Sequence, residues 1–443
     1  MENSRRDDDR HYMAEAELTY FDKSRRTFLK VSGLAVAGLF LPQAFPGLTH
    51  AEDGARTVDI VEAVAWGLQD AGARTVTSVP ATGVAALFDA FHRLTGKKSP
   101  YAFNEELAYT MACGAALAGT RAATVIKSHG FAKAANSVID SLTLGTTAGF
   151  VVVVMDDPLG AHSDSVFDAT MFLKGTGIPF KRAEIDTVYE ALIESFLWSE
   201  ALRTPVALLL DSRLIAKHTV CMRRPLAPPA AHYERDPLRH VLCPPLAGYQ
   251  QKVYKTRRAR GDWRTIPEPI MPRIPEGLPP AWRSAAAQCV PLFDVFQELR
   301  PQIPFVCGDT GLSSLFAFAP YACVDACSYY GGSLPMAIGA HLGGIDRPWA
   351  VTGDYAFLAA GHMGLIEAMA RRVPLKVLVV DNGCAMATGG QPVPAGIFEQ
   401  VLSGWGAFVS RIEDPRNAAE VKRLLDRALR SERLEIVVAR MPV

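Results

Sequence analysis

Two short motifs carry the residues best suited to chemistry. Gly353-Asp354-Tyr355 follows the apolar run Ala350-Val351-Thr352, and Asp381-Asn382-Gly383 stands about 25 residues further on, at the end of Leu375–Val380. The second run, LKVLVV, reads as a parallel strand buried on both faces. Ala359 to Arg372 between them has helical periodicity, so the segment predicts a β-α-β unit with oxygen ligands at the ends of both strands. Open α/β sheets bind their ligands at that edge. A carboxylate and a carboxamide placed there suit Mg²⁺, a hard cation that keeps oxygen ligands and substrate phosphates. Two ordinary strand-end turns would use the same residue types.

Further candidates lie at other predicted strand ends. Gly331-Gly332-Ser333 opens a predicted helix over 334–342, and a helix N-terminus offers backbone donors to an anion. Gly308-Asp309-Thr310-Gly311 follows a predicted strand over 305–307, and Thr388-Gly389-Gly390-Gln391 follows the Asn382 loop. Glu105 opens another predicted helix and is followed by Ala108, Ala112, Gly114 and Ala116, small residues that let a helix pack closely on its neighbours. A first-turn glutamate is also favoured by the helix dipole alone, a role for which Glu106 is the natural candidate. His129-Gly130 and His162-Ser163 follow two further predicted strands and are candidates to line a substrate pocket, as is Gln391 for a cofactor. His341 and His362, on predicted helices, read as structural.

These residues need a framework of parallel strands. Strands are expected at Thr75–Ser78, Ala123–Lys127, Phe150–Met155 and Val206–Leu210, with helices at Ile60–Ala71, Val84–Leu94, Glu105–Gly119, Ala132–Leu144 and Val188–Leu202. That is one doubly wound α/β domain over residues 56–220. A second, over 290–443, has expected strands at Phe305–Cys307, Trp349–Thr352, Leu375–Val380 and Ile436–Arg440 and helices at Leu334–Leu342, Ala359–Arg371, Ile397–Gly404 and Ala418–Ser431. Residues 221–289 between them are rich in Pro and Arg and read as an extended surface linker with one short helix near Leu246–Tyr254, because clustered prolines oppose long helices and central strands. The basic stretch Lys252–Arg260 within it has no interleaved aromatic platform, so no nucleic-acid partner is expected.

The chain's 443 residues suffice for such domains, each with its own core. A formal net charge of zero excludes a global pull towards nucleic acid or acidic lipid. Eight cysteines are scattered with no CxxC, which leaves no zinc or iron–sulfur framework. Cys323 and Cys327 are either a pair or small buried residues. Residues 1–51 read as an address. Ser24-Arg25-Arg26-Thr27-Phe28-Leu29-Lys30 matches the twin-arginine export consensus, Val31–Leu41 is an apolar stretch of signal-peptide length, and Thr49-His50-Ala51 is an acceptable cleavage site. A periplasmic location is expected, with no stable membrane span once the leader is removed.

The pair of opening motifs resembles the thiamine-diphosphate motif, GD followed about 25 residues later by NN. On that resemblance Asp354, the Asn382 side chain and the Cys384 carbonyl hold Mg²⁺ against the diphosphate. The cofactor contacts come from Gly308, Asp309, Thr310, Gly331, Gly332, Ser333, Gly353, Asp354, Tyr355, Asn382, Cys384, Ala385 and Met386. Glu105, in register with the pattern E-x-x-A-x-x-x-A-x-G-x-A, becomes the carboxylate that relays a proton to the aminopyrimidine, with His129 as a second catalytic candidate. Over nearly the whole chain after the leader the sequence is similar to the first half of the indolepyruvate:ferredoxin oxidoreductase α subunit. The resemblance is carried by Asn104-Glu105-Glu106-Leu107-Ala108, Asp156-Asp157-Pro158 with His162-Ser163, Asp211-Ser212-Arg213-Leu214 and Tyr233-Glu234-Arg235-Asp236-Pro237. It continues through Cys307-Gly308-Asp309-Thr310-Gly311 and the run Asp381 to Pro392.

The resemblance implies a pyrimidine-binding domain followed by a diphosphate-binding domain, and a dimer with thiamine-diphosphate sites between chains. It implies oxidative decarboxylation of an aryl 2-oxo acid to an acyl-CoA. That α subunit continues into a ferredoxin-like segment with eight cysteines where this sequence stops, so a separate redox chain is the expected electron acceptor. Tyr355 stands where Gly or Ser is usual. Two other readings remain open at this point. One is a non-oxidative 2-oxo acid decarboxylase similar to sulfopyruvate and phosphonopyruvate decarboxylases, and the other is a non-catalytic thiamine-diphosphate-binding subunit.

Overall fold

The computed structural model describes residues 54–229 and 231–441. The leader reading falls on residues 1–51, outside the described residues. Two fully parallel sheets organise the chain. The first half runs β1 (Arg56–Asp59), β2 (Thr75–Ser78), β3 (Ala122–Lys127), β4 (Phe150–Asp156), β5 (Phe180–Arg182), β6 (Val206–Asp211) and β7 (His218–Cys221). The second runs β8 (Val306–Asp309), β9 (Ala326–Ser328), β10 (Trp349–Gly353), β11 (Lys376–Asp381), β12 (Cys384–Ala385), β13 (Gln391–Pro392), β14 (Val409–Ile412) and β15 (Glu435–Arg440). Strand order is β2-β3-β4-β6-β5 in one sheet and β14-β15-β11-β10-β8-β9 in the other. The central strands β4 and β6 are buried along their whole length, as Val- and Leu-rich strands covered on both faces must be. The expected doubly wound α/β architecture is thus present in both halves. The short strands β5, β9 and β14 and the antiparallel pair β1–β7 add to the expected set.

The chain between the sheets is more helical than its prolines suggest. The short helix expected near Leu246–Tyr254 is present as Pro244–Arg258, and Pro280–Leu299 is another that was not expected. Proline stands in the first turn of each, where its missing N–H costs nothing, so the same prolines that bar a helix interior start these two. The connector is also docked at both ends. Arg235 pairs with buried Asp325 at 3.2 Å on the second sheet's side, and Tyr233 packs edge-on against Phe305. On the first sheet's side, Tyr254 Oη and Arg258 Nη1 both donate to the Gly177 carbonyl at 2.6 Å. Arg257, from the basic stretch, is buried.

The two sheets meet through two helices, Glu105–Leu117 and Ser333–Leu342, each almost entirely buried. Their backbones touch at glycines. A Cβ on Gly114 would lie 2.2 Å from the Met336 carbonyl oxygen, and one on Gly339 would lie 2.0 Å from that of Met111. One apolar core runs through both helices and the inner faces of both sheets. A polar tie reinforces the crossing. The Glu367 carboxylate, fully buried and paired with Arg371 at 3.1 Å, accepts the Phe103 N–H just before the Glu105 helix at 2.7 Å.

Gly339→Ala should therefore destabilise the chain by about 1–3 kcal/mol in urea unfolding, because overpacking against a rigid carbonyl outweighs alanine's helix propensity. Unchanged or raised stability would show that the helices can separate freely. Glu367→Gln, which leaves the buried Arg371 charge uncompensated, should cost about 3–5 kcal/mol by the same measurement.

Candidate active site

The second sheet reverses its winding between β8 and β10. From β8 the chain adds β9 on one side, then returns to add β10 on the other. The carboxyl ends of strands at such a reversal diverge and leave a crevice. Here that crevice is a cleft open to solvent. Asp309, Thr310 and Gly311 wall it after β8, Gly353, Asp354 and Tyr355 after β10, and Asn382, Cys384, Ala385 and Met386 after β11. The two motifs that opened the sequence reading thus share one cavity. β10 and β11 pair in parallel, with Gly353 opposite Val380, which sets the motifs side by side.

Asp354 organises the cleft floor. It is 1% exposed, and its carboxylate accepts the Tyr355 N–H at 2.8 Å and the Gly383 N–H at 2.7 Å. The turn at Gly383 needs φ of +70°, which a side chain disfavours. Burial, with the neighbouring Asp381 carboxyl, pushes the Asp354 pKa up to about 6. Asn382 Oδ1 accepts the Cys384 N–H at 3.2 Å. The donor set is therefore a buried carboxylate, a carboxamide and backbone carbonyls, all hard oxygens. Among the described residues no group of three or more His, Cys, Asp or Glu could hold a metal alone. A cation here would rely on Asp354, Asn382, the Cys384 carbonyl and oxygens of a bound phosphate, which is how Mg²⁺ is usually held. The residues fit that ion, and they fit a diphosphate. Added Cβ atoms at Gly311, Gly353 and Gly383 would meet nothing within 4 Å, so the backbone faces open space there.

Tyr355 does not fill that space. It is 37% exposed, and its ring lies 6.1 Å from that of Tyr330, another wall of the cleft. Tyr330 was not among the expected residues, because an aromatic in a loop carries no pattern. Asp381 was seen only as part of a strand end.

Other expected residues hold the site, Asp309 from the cleft wall itself and the rest from behind it. The Asp309 carboxylate accepts the Ser333 N–H at 2.8 Å and the Thr352 hydroxyl, so it fastens the Ser333–Leu342 helix to β8 and β10. Burial raises its pKa to about 6, against those hydrogen bonds. Gly308 is buried inside β8, and a Cβ there would lie 3.1 Å from Cys327 Sγ. Gly331, Gly332 and Ser333 do not line the cleft. The Gly332 N–H donates to the Tyr329 carbonyl, and Gly331 (φ +93°) lies against a π-helical segment, Phe357–Gly361, where a Cβ would be 2.7 Å from that of Ala360.

Glu105 and His129 lie at the carboxyl edge of the first sheet and do not line the cleft. Glu105 is held by an ion pair to Lys133 at 3.3 Å. Gly130 must be glycine beside it, since a Cβ there would lie 2.7 Å from Glu105 Cγ. His129 Nε2 bonds Ser165 Oγ at 2.9 Å and its ring meets Phe167 edge-on. Two carboxyls close to Glu105 in the fold have raised pKa values. Burial raises Glu106, which accepts from Ser137 Oγ at 3.1 Å, and burial with the nearby Glu106 charge raises Asp140 to about 6. Gln391 bonds within its own loop to Thr388, and His162 is exposed. His341 and His362 bond backbone carbonyls, in keeping with structural roles.

Residues 309–439 match the family model of the thiamine pyrophosphate enzyme C-terminal TPP-binding domain. Among curated proteins the chain is similar to indolepyruvate oxidoreductase subunit IorA. It is 32% identical to that of Thermococcus kodakarensis over 120 residues, 26% of this chain and 18% of that protein. It is 34% identical to that of Archaeoglobus fulgidus over 137 residues, 29% of this chain and 22% of that protein. The matched stretches thus span less than a quarter of those relatives. Among solved structures it is similar to a thiamin diphosphate-dependent enzyme from Mycobacterium smegmatis, with TM-score 0.57 and 15% identity over 87% of this chain and 100% of the other. It is also similar to the thiamine diphosphate-dependent 4-hydroxybenzoylformate decarboxylase of Rhodococcus jostii RHA1, with TM-score 0.56 and 14% identity over 87% and 99%. At such identities the structures establish the fold, which is that of thiamine-diphosphate enzymes. The resemblance to the indolepyruvate oxidoreductase α subunit is borne out by the curated relatives over matched stretches of 26% to 40% of this chain.

The role found for Asp309 is testable without cofactor. Asp309→Ala leaves the Ser333 N–H buried without an acceptor, while the Thr352 hydroxyl keeps the Gly353 carbonyl at 3.2 Å, so the apo chain should lose about 1–3 kcal/mol in urea unfolding. Unchanged apo stability would mean that Asp309 serves only a bound ligand.

Proposed function

We propose that the chain binds thiamine diphosphate with Mg²⁺ and serves in the decarboxylation of a 2-oxo acid. The reaction is oxidative, with electrons passing to a separate redox subunit. One observation carries this reading. Asp354, Asn382 and the Cys384 segment stand at adjoining strand ends around a cleft whose glycines leave room for a diphosphate, inside the segment that matches the TPP-binding model. When bound, thiamine diphosphate supplies a nucleophilic carbon and an electron sink. The chain's own residues bind and position. Asp354, Asn382 and the Cys384 carbonyl would hold the cation, and Asp354 also fixes the Tyr355 and Gly383 amides around it.

Glu105 is the residue proposed to hold the proton at the aminopyrimidine. Its carboxylate does not reach the cleft of its own chain, so this role belongs to an assembly in which a second chain brings its cleft to the Glu105 edge. A homodimer, or a heteromer that includes the redox subunit, would supply it. In that setting the Lys133 pairing would give way to the cofactor ring. The match of Ser24–Lys30 to the twin-arginine consensus supports a periplasmic enzyme that folds, and takes up its cofactor, before export.

The curated relatives favour the oxidative reading, since each is named as an oxidoreductase subunit. Supplied with an aryl pyruvate, the purified protein with its redox partner should reduce an artificial one-electron acceptor. Aldehyde release with no acceptor present would contradict the oxidative reading and favour simple decarboxylation. Glu105→Gln should slow hydrogen–deuterium exchange at the bound cofactor's thiazolium C2, followed by NMR, by about 10²–10⁴-fold while leaving its binding intact. Exchange at the wild-type rate would remove Glu105 from the relay.

A further inference from the structure

The edge of the first sheet opposite Glu105 and His129 carries a cluster of three arginines against one acid, Asp236, which acts on Arg239 alone of the two buried ones. Gly145 and Thr146 lie in the loop that enters β4 at its amino end, and Arg203 in the loop that enters β6. The two loops are joined by the Thr146 N–H donating to the Arg203 carbonyl at 3.1 Å. The connector adds Arg239 and Arg257. Arg239 Nη2 donates to the Thr146 carbonyl at 2.6 Å, and Arg257 Nη1 to that of Arg203 at 3.3 Å. Both guanidinium groups converge on Gly145. A methyl group on its Cα would lie 3.4 Å from Arg239 Nε and 3.6 Å from Arg257 Nη1.

Those bonds leave much unsatisfied. Arg239 Nε, Arg257 Nε and Nη2, and the Thr146 hydroxyl are all buried without a hydrogen-bond partner. Arg257 is only 6% exposed. Among the described residues none of the three arginines forms an ion pair with a carboxylate. Burial, with repulsion from neighbouring arginines and against the attraction of Asp236 for Arg239, lowers the pKa of both Arg239 and Arg257 to about 10. Charges this close and this dry are costly unless paired. A water molecule could satisfy the donors but not the charge, whereas an oxyanion satisfies both. Guanidinium forks match a tetrahedral oxyanion in geometry. The cluster opens to solvent at exposed Arg203 and at half-buried Trp263, over whose ring Arg257 sits at 5.8 Å.

We propose that Arg203, Arg239, Arg257 and Thr146 form a binding site for a phosphate-class oxyanion, separate from the cleft and at the opposite edge of its sheet from Glu105. The site joins the connector to the first sheet, so its occupant would fasten the two together. It stands apart from the reaction proposed above and does not depend on it.

The test is thermal unfolding and calorimetry of the full chain with inorganic phosphate, with ADP, and with chloride at equal ionic strength. Phosphate should raise the midpoint by several degrees more than chloride, as expected of a ligand that binds only the folded state. Phosphate also stabilises proteins non-specifically by exclusion, so variants decide the matter. Arg257→Met should weaken phosphate binding at least tenfold. Arg203→Ala, at an exposed position that should not disturb folding, should do the same, and both should leave thiamine-diphosphate binding unchanged. Tighter binding of ADP than of phosphate would support the site with a nucleotide as its source. Equal or weaker binding would support it with free phosphate. Equal midpoints in phosphate and chloride, or a full phosphate increment retained in Arg203→Ala, would overturn the proposal.

Discussion

The contact on which the rest depends is the backbone crossing of the Glu105–Leu117 and Ser333–Leu342 helices. At Gly114 and Gly339 the two main chains approach more closely than any Cβ would allow. Helix axes are usually separated by the side chains between them. Here glycine removes that layer, and the sheets behind the helices are drawn onto one continuous core. The helix that begins at Glu105 and the helix that Asp309 fastens at Ser333 are thus parts of one rigid joint. Residues at the carboxyl edges of both sheets inherit their positions from it.

The site divides its labour accordingly. Residues that look like ligands in the sequence turn out to be of two kinds. Asp354, Asn382 and Cys384 face an open cleft, and Asp354 keeps a buried carboxylate whose raised pKa marks a charge in want of a cation. Asp309, Gly331, Gly332 and the Ser333 N–H make hydrogen bonds and close contacts that hold the cleft's walls. A phosphate-binding loop needs both, since donors aimed at a ligand are useful only where the backbone behind them cannot move.

The long buried strands β4, β6, β11 and β15 were legible because runs of Val, Leu and Ala bounded by helical segments are typical of parallel strands covered on both faces. The pairing of Asp354 with Asn382 was legible for the same reason, since each ends such a strand. The three-residue strands β5 and β9 were not, because so short a run has no period to read. The connector was legible in part: its helix near Leu246–Tyr254 was, and the Pro280–Leu299 helix was not. Proline disfavours a helix interior but favours its first turn, where Pro280 stands, and this helix also carries Pro291 within it. The Glu367–Phe103 tie and the arginine cluster at Gly145 join residues far apart in the chain, and no local pattern announces them.

The central claim is that the cleft between β8, β10 and β11 binds thiamine diphosphate through a cation held by Asp354. Calorimetric titration of thiamine diphosphate into the apo protein, with Mg²⁺ and then with the metal chelated, tests it most directly. Saturable binding in Mg²⁺ that weakens at least tenfold on chelation is the predicted result. No binding in Mg²⁺, or binding indifferent to the metal, would contradict it.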